Sequence, residues 1–274
     1  MRMLALDIGG TAVKYGVFYS YKPEFGQFPV RDENGIEDVP GNLCKFVCKM
    51  DPDFIAVSTP GPFDFEFGIS HMKHKLPSLY NVSLKECLEK EAPKSKVYFI
   101  HDAAAFALGA MDEMPKLSRK RFASVMLGTG LGYVCSNCGE ILLNSLGTPQ
   151  NRLWSKPFLN GICEDYVSTN HILSDSQSLG YEYASVKEIA EAAKSGNMQL
   201  KKVFDDFGRN LGQCIHMARQ EDKFECVVIG GQISLSWILM KDGFENVVSI
   251  PYELVNDPSK CALYGLRKYV LDRL

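Results

Sequence analysis

The chain has 274 residues, of which 46% are hydrophobic and 23% are charged, and its formal net charge is −3. This composition is typical of a globular protein with a sizeable core, and the charge gives no electrostatic reason to expect nucleic acid or an anionic membrane as a partner. We expect neither a secretion signal nor a membrane span, because charged residues interrupt the N-terminus and no apolar run could cross a bilayer. The nine cysteines are then reduced thiols, which predicts a cytoplasmic protein.

The first predicted element is a hairpin that closes over a glycine-rich turn, with an apolar strand on each side. Gly9 and Gly10 leave the backbone free to approach a bulky anion, and Thr11 can donate to phosphate oxygens. Asp7 can hold a hydrated Mg²⁺ on those phosphates, and Lys14 adds positive charge. The alternative interpretation is an ordinary hairpin in which Asp7 only stabilises the turn.

A proline-rich turn follows the strand predicted at 54–57. Its residues are Ser58, Thr59, Pro60, Gly61 and Pro62. Such a turn can neither continue a ladder nor start a helix interior, and it fixes backbone groups for a ligand. The alternative is a plain loop that ends the strand.

A carboxylate lies at the next junction between a strand and a helix. Apolar residues at 97–100 predict the strand, and an alanine-rich segment at 103–111 predicts the helix. Asp102 between them is a natural N-cap, and it is also well placed to act as a general base. The two roles do not exclude each other.

A charged stretch with a proline, at 111–121, is the predicted domain boundary. After it, the glycines at 128 and 130 lie between two apolar strands, in a distant repeat of the first hairpin. A dinucleotide fingerprint would have to open a helix here, so the strand that follows argues against one. Cys135 and Cys138 flank the next turn without a second pair downstream, so we expect no metal site there.

The second half alternates helices and strands. Helices are predicted at 164–173, 186–193, 200–221 and 259–274, the last capped by Ser259, and strands at 226–229 and 247–250. Gly230 and Gly231, at the end of the first of these strands, permit close approach of a flat ligand to the backbone. The alternative is close packing of a helix on the strand.

In chain order, these segments resemble the ROK family of bacterial sugar kinases. Two segments resemble its phosphate motifs: residues 7–11 with Lys14 resemble the first, and residues 127–132 resemble the second. Residues 58–62 resemble its sugar-side turn, and residues 101–105 resemble its catalytic segment. Residues 229–231 resemble its adenosine motif. The resemblance implies an α/β protein with the actin-like ATPase (ribonuclease H-like) fold, in which two α/β domains flank a central cleft.

The resemblance also implies the domain ranges and the site residues. A small domain covers 1–116, with the C-terminal helix at 259–274 packed back on it, and a larger domain covers 117–258. Asp102 is the implied catalytic residue. The implied ATP- and phosphate-binding residues are Asp7, Gly9, Gly10, Thr11, Lys14, Gly128, Thr129, Gly130, Gly230 and Gly231, with Asp7 holding Mg²⁺ through water. The implied sugar-binding residues are Thr59, Pro60, Gly61, His101, Asp102 and Glu164.

The chain departs from the family pattern on the sugar side. His101 replaces the family's asparagine before the catalytic aspartate. The family's Glu-Ile-Gly-His segment and its cysteine-rich zinc motif are missing from 144–161, so we predict no structural zinc. Glu164 falls on the family's sugar-binding glutamate, but Ile162 lies where a zinc cysteine would be.

The leading prediction is an ATP- and Mg²⁺-dependent kinase that phosphorylates a hexose or hexose derivative at its primary hydroxyl, and we expect it to be a homodimer. One alternative is a non-catalytic or degenerate ROK-type protein that binds sugar or nucleotide. The family's repressors carry an added DNA-binding domain, for which we expect no room ahead of the strand that begins at Leu4. Another alternative is a different small-molecule kinase of the same superfold.

Overall fold

The structure, a computed structural model, describes residues 1–19, 22–73 and 75–274. By its internal contacts the chain divides into two compact units. The first contains Met1–Pro115, Ile141–Gln150 and Lys260–Leu274, and the second contains Lys116–Glu140 and Asn151–Ser259. Each unit is built on a five-stranded sheet with helices, so the predicted α/β class is confirmed.

The first unit begins with the predicted hairpin. Its strands are β1 (Met3–Ile8), β2 (Ala12–Phe18), β3 (Glu24–Pro29), β4 (Phe54–Thr59), β5 (Phe63–Asp64), β6 (Ile69–Ser70) and β7 (Lys96–His101), and its first helices are α1 (Val39–Met50), α2 (Leu84–Glu91) and α3 (Asp102–Glu113). The main sheet has the order β3-β2-β1-β4-β7, with β1, β4 and β7 parallel. Because parallel strands end at the same edge of a sheet, the segments that follow β1, β4 and β7 share one edge.

The register of this sheet brings predicted site residues side by side. Asp7 is the register partner of Ser58, and Thr59 is the partner of His101. Strand β1 is central and almost wholly buried, which matches its run of apolar residues. The edge of the sheet therefore carries polar groups on a rigid apolar base.

The second unit repeats the pattern of an antiparallel hairpin beside a parallel strand. Its strands are β8 (Arg121–Leu127), β9 (Leu131–Asn137), β10 (Glu140–Ile141), β11 (Pro157–Phe158), β12 (Gly161–Ile162), β13 (Cys226–Gly230) and β14 (Tyr252–Leu254), and its helices are α4 (Cys163–Tyr166), α5 (Thr169–Ser178), α6 (Val186–Lys194), α7 (Met198–Asp222) and α8 (Trp237–Glu245). Strand β8 pairs antiparallel with β9 and parallel with β13. No helix in the described part of the chain is both long and apolar enough to cross a membrane.

Two predictions for the second unit are wrong in detail. The segment 247–250 is not a strand: Val247 packs against Gly212 of α7, and its N–H donates to the carbonyl of Phe244 over 3.0 Å, which closes the end of α8. The helix predicted at 164–173 is interrupted, because the N–H of Thr169 donates to the carbonyl of Gly128 over 2.9 Å. That bond ties the start of α5 to the glycine turn after β8.

The C-terminal helix α9 (Cys261–Leu271) belongs to the first unit. Its predicted cap is wrong: the helix begins after Lys260, while the N–H of Ser259 donates to Asp257 over 3.0 Å. Helices α9 and α3 pack backbone against backbone where they cross, since a Cβ on Gly265 would overlap the carbonyl oxygen of Ala105. A glycine is therefore required at this crossing for steric reasons.

Replacing Gly265 with alanine is expected to lower the free energy of unfolding by about 1 to 3 kcal/mol, the usual cost of overpacking. The added methyl meets backbone on a neighbouring helix, which cannot rotate aside as a side chain can. Chemical denaturation measures the change. Gly10→Ala is the matched control, since a Cβ on Gly10 would meet nothing within 4 Å. Equal stability of the two variants would contradict the close crossing.

Candidate functional site

The end of β1 carries a carboxylate in a partly buried position. The hydroxyl of Ser58 on the neighbouring strand donates to Oδ1 of Asp7 over 2.8 Å. Burial raises the pKa of Asp7, although the hydrogen bond from Ser58 and the charge of Lys14 act in the opposite direction. A cation beside Asp7 would offset the cost of burying its negative charge, so the position suits a bound metal ion.

The two glycines of the turn after β1 have different surroundings: Gly9 closes the turn, and Gly10 faces open space. The N–H of Gly9 donates to the carbonyl of Ala12 over 3.0 Å, which closes the turn. A Cβ on Gly10 would meet nothing within 4 Å, so the backbone there is open to a ligand. Thr11 is exposed beside it. The turn thus has the room and the donors that a phosphate group needs.

Asp102 is the first residue of α3, so the predicted capping position is off by one. The N-cap is His101, whose Nδ1 lies 3.2 Å from the N–H of Ala103. That N–H also donates to Oδ1 of Asp102 over 2.7 Å, and Nδ1 of His101 lies 2.9 Å from the same oxygen. The carboxylate is thereby held at the N-terminus of the helix.

The surroundings of Asp102 keep it ionised. Burial opposes its charge, but His101, the N–H of Ala103 and the positive charge of Lys75 outweigh that effect and hold the pKa of Asp102 below its ordinary value. Sequence reasoning missed Lys75, because nothing near it in the chain marks it as part of a site. Asp7 and Asp102 both belong to the first unit, and their pKa values are shifted in opposite directions. Such shifts are typical of a functional site.

The turn after β4 faces a segment that lies far away in sequence. A Cβ on Gly61 would lie 3.3 Å from Cγ2 of Thr148 and 3.9 Å from Cδ2 and Nε2 of His101. The rings of Phe65 and His101 have centroids 6.1 Å apart. The structure therefore adds two residues, Phe65 and Thr148, to the predicted residues Gly61 and His101.

The glycine turn after β8 is held by side chains from the segment that follows it in the second unit. Oε2 of Glu164 accepts from the N–H of Leu131 over 2.8 Å, and a Cβ on Gly130 would collide with the same oxygen. The carbonyl of Gly128 accepts from the hydroxyl of Thr169 over 3.0 Å. Glu164, predicted on the sugar side, thus contacts the predicted phosphate turn directly.

Gly231, the glycine that follows β13, has a packing role. Gly231 has φ +85°, and a Cβ there would overlap the backbone of Leu127. Close packing therefore requires glycine at this position, but the contact is with the end of β8 and not with a helix, as the alternative interpretation expected. By contrast, a Cβ on Gly128 would meet open space, so the turn after β8 has room for a ligand.

The segment before Glu164 is tied to the end of α7 by side-chain hydrogen bonds. The amide of Asn151 donates to Glu221 over 2.8 Å and to Asp222 over 3.1 Å, and Lys156 forms an ion pair with Glu221. The described residues contain no group of three or more His, Cys, Asp or Glu side chains that could hold a metal ion. The absence of a structural zinc remains a prediction.

Comparison with known proteins finds similarity to sugar kinases. No protein-family model matches the chain. It is 26% identical over 270 residues to a glucokinase of Thermotoga maritima, covering 85% of this chain and 83% of that protein. The resemblance to ROK sugar kinases is confirmed.

Solved structures of ROK proteins share the fold over nearly the full length of this chain. A ROK hexokinase from Thermus thermophilus has a TM-score of 0.77 at 18% identity, covering 100% of this chain and 99% of that one. A ROK glucokinase from Streptomyces griseus, solved with glucose and AMPPNP, has a TM-score of 0.78 at 17% identity, covering 97% and 98%. The predicted actin-like ATPase fold is confirmed.

Proposed function

We propose that this ROK-type chain transfers the γ-phosphoryl group of ATP to the primary hydroxyl of a hexose or hexose derivative. The similarity to a glucokinase supports the reaction class. The observation that carries the proposal is Asp102, an ionised carboxylate held beside His101 at the start of α3. An acceptor hydroxyl needs such a group to take or orient its proton.

Asp102 is the proposed catalytic base. Because its pKa is lowered, it is charged at neutral pH and can accept the proton of the attacking hydroxyl. The hydroxyl oxygen then attacks the γ-phosphorus in line with the departing ADP oxygen. His101 and the N–H of Ala103 hold one carboxylate oxygen, Oδ1, so Oδ2 is the oxygen assigned to the substrate.

The proposed phosphate-binding groups are the two glycine turns. Thr11, Lys14 and the backbone at Gly10 serve the first turn, and the residues Gly128, Thr129 and Gly130 form the second. A Cβ on Gly10 or Gly128 would meet open space, which fits a bulky ligand at both turns. Gly230 and Gly231 are proposed to lie against the adenosine. Mg²⁺, for which Asp7 is the proposed ligand through water, would neutralise phosphate charge.

The proposed sugar-binding groups are Thr59, Pro60, Gly61, His101 and Glu164. In the first unit, Gly61 and the Nε2 edge of His101 lie together beside the catalytic base. In the second unit, Oε2 of Glu164 is bound by Leu131, which leaves Oε1 for a sugar hydroxyl. The homodimer, the domain ranges and the cytoplasmic location remain predictions of the sequence.

A panel of hexoses and N-acetylated hexosamines with Mg²⁺ and ATP tests the function. ADP release is measured by a coupled assay, and the phosphorylated carbon is identified by NMR. We expect sugar-dependent ADP release and phosphate on the primary hydroxyl. Binding of sugar and ATP without ADP release would favour the non-catalytic alternative, and turnover of non-sugar alcohols alone would favour another small-molecule kinase.

The first glycine turn offers a clean test of nucleotide binding. Gly10→Ala is expected to lower the affinity for ATP about tenfold or more, because its methyl would occupy space assigned to the phosphates. The melting temperature of the free protein and its affinity for sugar should not change. Isothermal titration calorimetry with a non-hydrolysable ATP analogue measures the effect. An unchanged affinity would show that the phosphates bind elsewhere.

A further inference from the structure

The segment Ile141–Gln150 interrupts the second unit in sequence but belongs to the first in space. It forms a tight loop: the N–H of Asn144 donates to the carbonyl of Thr148 over 2.8 Å, and Leu143 bridges to Pro149. Its tip packs on the turn between β5 and β6, since a Cβ on Gly147 would lie 2.8 Å from the ring of Phe65. The loop therefore lies beside residues that are proposed to bind the acceptor sugar.

Inside this loop, the side chain of Asn144 fixes the hydroxyl of Thr148. Its Oδ1 accepts from the N–H groups of Leu146 and Thr148, over 2.9 and 3.3 Å. The amide orientation is thereby set, and its Nδ2 donates to Oγ1 of Thr148 over 2.8 Å. The threonine oxygen acts as an acceptor, and its own proton makes no hydrogen bond among the residues described. Thr148 thus retains an unused donor.

The position of that donor suits a sugar. The methyl group of Thr148 lies at Gly61, and Nε2 of His101 approaches the same glycine. Phe65 supplies an aromatic ring next to Gly147 of the loop, and the centroids of the Phe65 and His101 rings are 6.1 Å apart. A pyranose presents apolar C–H groups to a ring and hydroxyl groups to polar atoms, and sites for small ligands combine these two kinds of surface.

We propose that Thr148 is a specificity-determining residue for the acceptor, and that it donates a hydrogen bond to a secondary hydroxyl of a neutral hexose. Asn144 is the positioning residue that orients it. This inference rests on the proposed function. It adds a residue that no sequence motif marks, and it names the recognised group as a ring hydroxyl other than the one that is phosphorylated.

The test is Thr148→Val, which keeps the methyl group against Gly61 and removes the donor. We expect the KM for the preferred hexose to rise about tenfold, as for the loss of a neutral hydrogen bond, with kcat nearly unchanged. Thr148→Ser should retain most of the affinity. Ser145→Ala, in the exposed part of the same loop, is the matched control and should behave as the parent protein.

Deoxyhexoses identify the hydroxyl that is contacted. The parent protein should bind one of the 2-, 3- and 4-deoxy analogues more weakly than the hexose itself. Thr148→Val should bind that analogue as well as the parent does, because the analogue lacks the sugar hydroxyl that the Thr148 hydroxyl would contact. Asn144→Ala should weaken the same contact. Equal KM values for the parent and Thr148→Val, or equal losses on every analogue, would overturn the inference.

The proposed function and this inference fail in different ways. If the parent transfers phosphate to a hexose and Thr148→Val does so with the same KM, only the inference falls. If the parent binds hexose without turnover, calorimetry with the same variants and analogues still decides the role of Thr148, while the kinase proposal falls. If the parent neither binds nor phosphorylates any hexose, both are wrong.

Discussion

Asp102→Asn is expected to yield a folded protein that has lost about a hundredfold or more in phosphoryl transfer. The amide has the shape of the carboxylate, and its oxygen can still accept from the N–H of Ala103. It cannot take the proton of the attacking hydroxyl, and it lacks the charge that orients it. Affinity for ATP should be unchanged. Steady-state kinetics on the preferred hexose, together with calorimetry, separates these effects.

Asp112→Asn is the control, since it removes a carboxylate from the same helix at its other end, 4.0 Å from Arg267. It should retain full turnover. Asp102→Ala should destabilise the protein by about 1 kcal/mol, because Oδ1 of Asp102 accepts from the N–H of Ala103 in the first turn of α3. If Asp102→Asn retains most of its turnover, Asp102 only supports the helix.

The lowered pKa of Asp102 also predicts a dependence of stability on pH. Its folded-state pKa lies below the unfolded value, so the group contributes stability above the unfolded pKa. That contribution is lost as the pH falls through the folded pKa. Asp102→Asn should therefore be less sensitive to acid than the parent protein in this range.

Asp7→Asn is expected to have opposite effects on stability and on nucleotide binding. Burial raises the pKa of Asp7, so the folded state opposes an ionisation that the unfolded chain undergoes at neutral pH. A neutral amide does not carry this cost in folding free energy. The free protein should therefore melt at a higher temperature than the parent. The hydroxyl of Ser58 can still donate to the amide oxygen.

Asp7→Asn should bind Mg²⁺ and ATP more weakly than the parent protein, because a neutral amide lacks the negative charge that attracts the metal ion. The parent protein should melt at a higher temperature with Mg²⁺ and ATP, since a ligand that binds only the folded state stabilises it. This shift should be largely absent in Asp7→Asn. Glu33→Gln, at an exposed carboxylate of the same unit, should keep it. An undiminished shift in Asp7→Asn would show that Asp7 has no part in binding the metal.

Much of the fold could be predicted because its signals are local. Apolar runs that end in glycine turns mark β1–β2 and β8–β9, and both hairpins were found. The apolar residues at 247–250 misled the prediction, since a short apolar run has the same pattern whether it pairs in a sheet or packs on a helix. Here it packs on α7, through Val247.

The missed part of the candidate site depends on contacts between distant segments. Thr148 lies next to Gly61, which is far away in sequence, and no local pattern predicts that contact. The effect of Lys75 on Asp102 is likewise visible only in three dimensions. Glu164 was found through the family resemblance, but its bond to Leu131 was not foreseen.

The crossing of α3 and α9 has a consequence for the order in which the units are completed during synthesis. Helix α3 is made before residue 115, and most of its residues are buried in the finished protein. Its partner α9 starts at Cys261, after all residues of the second unit have been made. A nascent chain can therefore finish the second unit while the first still exposes an alanine-rich helix, so the unit whose synthesis starts first is the last to close.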